Sequence, residues 1–366
     1  MQDIEYYMKS FEMKRKIMQN EPVEGDLGTL YEKYISQKPV VFCIETTTAC
    51  NMRCIMCPRT DKMKRPIGHM KPTLYQKIID QIEPYTALQH LKWRRFLDLK
   101  LFPSHILSNI DEDFFNYVVS AESLTLHGFG EPPLDPHIID RINIATQNNI
   151  PTYFSCNPIN MTDKLFNELV DAGLNYLKYS IDGLDEKTIE KYRGKKIDMR
   201  QVEERIKKSI GCLKKHNAAT ILVLTMLEFG GNIKQNEAFV KRWQDQEVFA
   251  YIKNSHHRWL FDENGTPENT STWVHCFCEY PFNSVSILYD GTVVPCPLDY
   301  DGIMAMGNVN ESSLEEIWHS KQYVEFRKMH AAGCIANNHF CKASCDMRIL
   351  GEVADKAKTA KGTAHV

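Results

Sequence analysis

Residues 40–60 read VVFCIETTTACNMRCIMCPRT. Val40 to Ile44 is a short run of β-branched and apolar residues, and a strand is expected over Val40–Glu45. It leads straight into a loop that carries Cys50, Cys54 and Cys57 in the spacing C-x3-C-x2-C. Three thiolates so spaced can wrap one small inorganic core, and soft sulfur ligands select zinc, copper(I) or iron–sulfur clusters. A structural zinc site is closed by four ligands. Three close ligands with no local fourth suit a cubane cluster with one iron left open to chelate a small molecule.

Outward from this stretch the chain alternates. Strand-like runs follow at Ser123–His127, Thr152–Cys156, Tyr176–Ile181, Thr220–Leu227 and Glu247–Ile252. Helical patterns are predicted at about Thr73–Ile82, Pro136–Asn148, Asp163–Ala172, Asp185–Tyr192, Val202–Asn217 and Ile233–Gln244. Strand–helix alternation implies a parallel sheet with right-handed crossovers. Six units are too few for a closed eight-stranded barrel, so the expected α/β fold is an open, partial (β/α)6 barrel. Sites in such folds lie at the C-terminal ends of the strands, where the cysteine loop falls.

The expected organisation is a helical extension over residues 1–39, the barrel over 40–255, a small cysteine-rich α+β domain over 256–350 and a disordered tail, GEVADKAKTAKGTAHV, over 351–366. Residues 88–121 break the rhythm. They have room for one or two extra amphipathic helices, read as added packing on the face opposite the site.

Lys and Arg number 44 against 47 Asp and Glu, a net charge of -3, so bulk electrostatics attract neither nucleic acid nor an anionic membrane. No apolar run has membrane-spanning length. The first residues, MQDIEYYMKSFEMKRK, lack the apolar core of a secretory signal, so a cytoplasmic location is expected. There the twelve cysteines are better read as metal ligands or catalytic groups than as disulfides. Three lie within 50–57 and six between Cys276 and Cys345, while Cys43, Cys156 and Cys212 stand alone and read as small core residues.

The loop after the first strand resembles the signature of the radical S-adenosylmethionine (SAM) superfamily. Met56 stands where that family often has an aromatic residue. The resemblance implies a 4Fe-4S cluster on Cys50, Cys54 and Cys57, whose open iron binds SAM. One-electron reduction then yields a 5′-deoxyadenosyl radical that abstracts a substrate hydrogen. Three further stretches resemble family motifs in order along the chain. HGFGEPPLDP, residues 127–136, resembles the Gly-Gly-Glu motif. Its Gly128 and Gly130 allow close backbone approach, and Glu131 ends the motif. CNPIN, residues 156–160, places Asn157 as a polar contact to the cofactor. YSIDGLDEKTIEKYRG, residues 179–194, places Ser180 and Arg193 in the same role. The plain alternatives are a tight turn at the glycines, a helix cap at Asp182 or Asp185 and a solvated arginine.

The last quarter carries a second cluster of sulfurs. CEYPFNSVSILYDGTVVPC, residues 278–296, reads as a hairpin turning at Asp290–Gly291, which brings Cys296 back near Cys278. A helix is expected to start at Ser312 or Ser313. Cys341 and Cys345 lie one helical turn apart. Gly291 through Cys296, the Gly-Asn-Val at 307–309 and the late cysteine pair resemble SPASM and twitch extensions of radical SAM enzymes. A full SPASM domain needs more cysteines than the six here, so one auxiliary 4Fe-4S cluster is expected, on Cys278, Cys296, Cys341 and Cys345. Cys276 and Cys334 are left over, and either can replace one of the four. A zinc ribbon is the alternative for this domain.

Similar enzymes oxidise alcohols in aminocyclitols, epimerise sugars or peptide residues, or crosslink peptides. Peptide-modifying relatives often carry an N-terminal leader-binding domain, for which thirty-nine residues are too few. The expectation is oxidation or epimerisation of a small polar substrate such as a carbohydrate or aminocyclitol. Modification of a ribosomal peptide, or a non-enzymatic iron–sulfur carrier, are the alternatives. The resemblance also implies an electron donor such as flavodoxin or ferredoxin. Candidate catalytic groups are Glu228 after the fifth strand, His256 after the sixth with Asn254 and His257, and the surplus thiols Cys276 and Cys334 as hydrogen-atom donors.

Overall fold

A computed structural model describes residues 38–89, 122–229, 232–243, 248–254 and 280–331, with isolated positions at Ile35, Leu91, Val119, Gln246 and Cys341. The N-terminal extension, nearly all of the 88–121 segment and the tail lie outside the described residues. So do Cys276, Cys278, Cys334, Cys345, His256 and His257.

Strand β1 (Val40–Ile44) is followed by α1 (Pro72–Ile79), β2 (Leu124–Thr125), α2 (Ile138–Gln147), β3 (Thr152–Cys156), α3 (Asp163–Asp171) and β4 (Tyr176–Ser180). Then come α4 (Glu186–Arg193), α5 (Met199–His216), β5 (Ile221–Glu228), α6 (Asn236–Trp243) and β6 (Phe249–Asn254). The C-terminal part adds α7 (Tyr280–Asn283), β7 (Ser284–Ile287), β8 (Thr292–Val294), β9 (Gly307–Asn308), α8 (Leu314–Trp318) and α9 (Lys321–Ala331). All nine strands form one sheet in the order β6-β5-β4-β3-β2-β1-β7-β8-β9. Pairing is parallel from β6 to β7 and antiparallel only at β7–β8 and β8–β9.

The helix ends follow their sequence signals. Thr162, Asp185 and Asp198 cap α3, α4 and α5 through their side chains, and Ser313 with Glu316 forms a capping box on α8. Gly194 and Asn217 end α4 and α5 in the left-handed conformation. The expected hairpin forms, with Gly291 at φ 92° and the Thr292 N–H donating to Asp290 Oδ1 at 3.0 Å.

The cysteine-rich segment carries α7 to α9 and β7 to β9. Its first strand, β7, extends the barrel sheet beside β1 in parallel, with Val40 opposite Ser284 and Ile44 opposite Ile287. Val285 and Ile287 are fully buried, so apolar burial fuses this segment to the barrel.

The sheet has two faces. Ile44, Leu124, Phe154, Leu177, Leu222 and Leu224 pack beneath the helices, with Tyr75, Ile142, Phe166 and Ile206 from the helical layer. The opposite, concave face carries a smaller cluster of Tyr153, Val223 and Tyr251 with Val119. Cys43 and Cys156 are buried core thiols and Cys212 is half-buried on α5, donating to Asn167 Oδ1 at 2.7 Å. No helix among the described residues is long and apolar enough to cross a membrane.

One ion pair ties the helical layer to the sheet. Arg141 on α2, 1% exposed, binds Asp135 at 2.7 Å and donates to the Met70 carbonyl. Removing one partner strands the other charge in the core. Asp135→Ala is therefore expected to lower unfolding free energy by about 3–5 kcal/mol, read from the denaturant midpoint. A loss near the surface-pair range of about 0–1 kcal/mol would show the pair to be structurally idle.

Candidate active site

The cysteine loop leaves the C-terminal end of β1 and has little regular structure of its own. Its backbone groups are satisfied by neighbours. Arg53 and Ile55 donate to the carbonyls of Arg193 and Tyr192, the last residues of α4, both at 3.1 Å. Those are orphan carbonyls of a helix end. Asn51 and Asn160 exchange two side-chain amide bonds, at 2.8 and 3.0 Å. Thr60 Oγ1 donates to the Cys54 carbonyl at 2.8 Å, and Arg59 Nε to the Thr48 carbonyl at 2.6 Å. Gly194 allows the close approach, since a Cβ there would lie 2.3 Å from the Arg53 carbonyl oxygen.

Each sulfur has its own N–H donor. The Met52 amide serves Cys50, the Arg59 amide serves Cys57, and an Arg193 guanidinium nitrogen lies 3.7 Å from Cys54 Sγ. Burial pushes the Cys57 thiol up to about 12 and raises Cys50 and Cys54 as well, with Arg193 opposing at Cys54. Buried thiols resist ionising alone, so thiolate formation here is coupled to metal binding. Hydrogen bonds directed at sulfur are the means by which proteins hold and tune cluster thiolates. Three thiols on one loop, each with an N–H donor beside it, fit the three protein ligands of an iron–sulfur cluster.

The second loop, Gly128–Glu131, lies directly against the first. Glu131 N–H donates to the Ala49 carbonyl at 2.8 Å. A Cβ on Gly130 would sit 2.0 Å from the Thr47 carbonyl oxygen, and one on Gly128 would sit 2.8 Å from a Glu45 carboxylate oxygen. Gly130 is therefore required by contact between two backbones, and Gly128 by the Glu45 side chain lying against it. Buried Glu131 accepts from the Asn157 N–H at 2.7 Å and Asn160 Nδ2 at 2.9 Å. Burial raises its carboxyl above the usual range, and these two donors oppose the rise. The Asn157 side-chain oxygen accepts from the Ile159 N–H, capping the turn at Pro158–Asn160. The same residue thus shapes the loop that it occupies at the strand end.

Arg193 is not a solvated arginine. Its side chain is 12% exposed and its guanidinium meets Asp182 Oδ2 at 2.5 Å. Asp182 is fully buried, has φ 53°, and accepts from the Leu227 N–H at 2.9 Å. Asp185 is the cap, and Asp182 is the counter-ion. Arg193 Nε is buried without a hydrogen-bond partner, leaving a charged donor that suits an acceptor such as the SAM carboxylate. Ser180 Oγ lies 3.0 Å from Ser155 Oγ on the neighbouring strand. Met56 is half-buried against the core.

Glu228 ends β5. It shares the parity of Leu224 and Met226, which pack under the helices, and its carboxylate is held by Asn236 at the start of α6. Leu227 takes the concave position at that level. Asn254 ends β6.

In the second cysteine region, Cys296 Sγ accepts from the Leu298 N–H at 3.5 Å, and Cys341 Sγ lies 3.3 Å from Met304 Sδ. Buried Asp299 accepts from the Ile303 and Met304 N–H groups and holds this loop in shape. Two residues not singled out in the sequence connect it to the first site. Arg65 forms a bidentate pair with buried Glu45, at 2.7 and 2.9 Å, and its Nε donates to the Tyr300 carbonyl at 2.5 Å. Glu45 in turn accepts from the Phe129 N–H at 3.2 Å. A carboxylate directly after a buried strand was a visible signal, whereas nothing in the sequence marks Arg65.

Residues 44–229, just over half of the chain, match the family model of the Radical SAM superfamily, and residues 276–346 match SPASM, an iron–sulfur cluster-binding domain. An S-adenosyl-L-methionine-dependent 2-deoxy-scyllo-inosamine dehydrogenase of Niallia circulans is 22% identical over 301 residues, 82% of this chain and 90% of that protein. A tungsten-containing aldehyde ferredoxin oxidoreductase cofactor-modifying protein of Pyrococcus furiosus is 22% identical over 371 residues, 86% of this chain and 89% of that protein. Among solved structures, Streptococcus suis SuiB bound to S-adenosylmethionine superposes with a TM-score of 0.51 at 14% identity, covering 94% of this chain and 83% of that one.

Two outcomes follow from this geometry. The Cys50, Cys54, Cys57 triple alanine variant is expected to hold about half the iron of a protein with two four-iron clusters and to release no 5′-deoxyadenosine under dithionite. Continued release would remove these ligands from the assignment. Gly130→Ala forces two backbones apart, so SAM affinity is expected to fall about tenfold or more while far-UV circular dichroism stays native. Unchanged affinity would show that the loop does not meet the cofactor.

Proposed function

The chain belongs to the radical SAM superfamily, with a C-terminal iron–sulfur domain, and from this premise we propose that it dehydrogenates an alcohol carbon in a small polar substrate, a carbohydrate or cyclitol. When bound, the first cluster and SAM supply the hydrogen-abstracting radical, and the auxiliary cluster supplies a one-electron acceptor. In this reading Cys50, Cys54 and Cys57 hold the first cluster. Cys278, Cys296, Cys341 and Cys345 hold one auxiliary 4Fe-4S cluster. Gly128, Gly130 and Glu131 bring backbone to the methionine end of SAM. Asn157, Ser180 and Arg193 supply polar contacts, Arg193 with Asp182 as its fixed counter-ion. The concave face of the sheet receives the substrate and keeps water from it.

The observation that carries the oxidative reading is the bridge through Arg65. One guanidinium holds both Glu45, against the Gly128–Phe129 loop, and the Tyr300 carbonyl, four residues after Cys296. Oxidation removes a hydrogen atom and then a second electron and a proton, so it needs an acceptor in fixed relation to the radical site. A bidentate buried pair fixes that relation. The dehydrogenase relative aligns along most of this chain and most of its own length. Reducing conditions favour thiolate ligands, which supports a cytosolic location and a soluble reductant such as flavodoxin or ferredoxin.

The test is product analysis on anaerobically reconstituted enzyme with carbinol-deuterated polyols. Dehydrogenation predicts one 5′-deoxyadenosine per ketone formed, carrying the substrate deuterium. Cys296→Ala is expected to raise the ratio of 5′-deoxyadenosine to ketone. Solvent deuterium in a product of unchanged oxidation state would replace oxidation with epimerisation.

A further inference from the structure

The outer side of the cysteine loop carries charged and apolar side chains that the cofactor reading does not use. Along residues 52–55 burial alternates: Met52 and Cys54 are buried, Arg53 and Ile55 are exposed. A cluster ligand thus stands one residue from the surface on either side. The exposed pair lies against the end of α4, because the N–H groups of Arg53 and Ile55 donate to the Arg193 and Tyr192 carbonyls, both at 3.1 Å. A Cβ on Gly194 would sit 2.9 Å from the Arg53 Cβ, so Lys195 and Lys196 leave the helix beside Arg53. Both lysines are exposed. Lys191, also exposed, holds its ammonium 5.1 Å from the centre of the Tyr192 ring. Among the described residues no acid forms an ion pair with Arg53, Lys191, Lys195 or Lys196, whereas Arg200 and Lys208 further along are paired with Asp198 and with Asp163 and Glu204. The acids of the same helix, Glu186 and Glu190, come before this group, and Arg193 is neutralised by Asp182. Ile55 is 43% exposed. A single exposed apolar residue is ordinary. This one has unpaired cations gathered around it from two segments, directly outside Cys54.

We propose that Arg53, Ile55, Lys191, Lys195 and Lys196 form the docking surface for a small acidic flavoprotein of the flavodoxin kind, which delivers the electron that the first cluster needs. This rests on the reading of Cys50, Cys54 and Cys57 as the ligands of that cluster. One electron leaves the reduced flavin and enters the cluster, so the flavin is oxidised by one electron and the cluster is reduced by one. No atom is transferred. The charge of the patch selects the partner in two ways. Complementary charge steers the encounter and raises the association rate. The chain as a whole carries a net charge of -3, so the rest of its surface repels an acidic protein and the patch orients it. Ile55 supplies an apolar centre for the apolar edge of an isoalloxazine ring, and the cations form the polar rim of the contact. The negative balance of the whole chain argues against a nucleic acid on this face.

The test compares two reductants on the full-length, anaerobically reconstituted protein with SAM present. One is flavodoxin kept reduced by its NADPH-dependent reductase, and the other is dithionite, which needs no docking. The readout is 5′-deoxyadenosine release. K195E/K196E is expected to raise the flavodoxin concentration at half-maximal rate about tenfold or more and to leave the dithionite-driven rate unchanged. K191E is expected to act in the same direction. K207E/K215E, at exposed positions of α5, is expected to behave like wild type with both reductants. Raising the ionic strength is expected to slow the flavodoxin-driven rate more than the dithionite-driven one. The proposal is overturned if flavodoxin supports no release where dithionite does, if K195E/K196E responds to flavodoxin like wild type, or if K207E/K215E loses as much. It is also overturned if the dithionite-driven rate of K195E/K196E falls in the same proportion, which would assign the lysines to the cluster or the fold. An unchanged flavodoxin response with loss of binding to phosphatidylglycerol vesicles would assign the face to a membrane instead. Failure of the parent reading shows elsewhere: wild-type protein would then release no 5′-deoxyadenosine with either reductant.

Discussion

The cysteine loop after β1 has to hold three sulfurs in place without a helix or strand to do it. Its amides and carbonyls must therefore find partners on other segments, and those partners arrange the rest of the site. The end of α4 supplies two carbonyls, and Gly194 ends that helix so that they are available. The Gly128–Glu131 loop lies so close that only glycine fits at two of its positions. Asn160 reaches back from the end of β3. Three strand ends are thus tied to one loop, and the mouth of the barrel is assembled around it.

Two carboxylate–guanidinium pairs are buried within this assembly, and each joins segments distant in sequence. Asp182–Arg193 sets a cation beside Cys54, and Glu45–Arg65 joins the first loop to the segment after Cys296. Burying such pairs costs desolvation that their mutual attraction only partly offsets. Their value lies in fixed geometry. Arg65 in particular makes the C-terminal region part of the barrel's mouth, in agreement with β7 extending the sheet beside β1.

The parallel sheet divides labour between its faces. Leu177 and Tyr179 of β4 pack under helices, while Lys178 and Ser180 face the concave side. The period of two along a strand makes this division. It puts Lys178 and Ser180 on one face and gives Glu228 the parity of the helical layer.

The sequence by itself determined the element order, nearly all strand and helix positions, and the class of chemistry. Strand runs, cap residues and the C-x3-C-x2-C spacing are local signals, and local physics reads them out. Asp185 and Ser313, each one of two positions the sequence offered, cap their helices, and Asp290–Gly291 turns the hairpin. Only the tertiary structure decided which polar residues meet. Arg193 finds Asp182, and Arg65 finds Glu45 and Tyr300, because the curled sheet brings separate strands together. The same holds for β7 beside β1. These contacts depend on register and curvature, which no stretch of sequence contains, because they arise when many strands are packed at once.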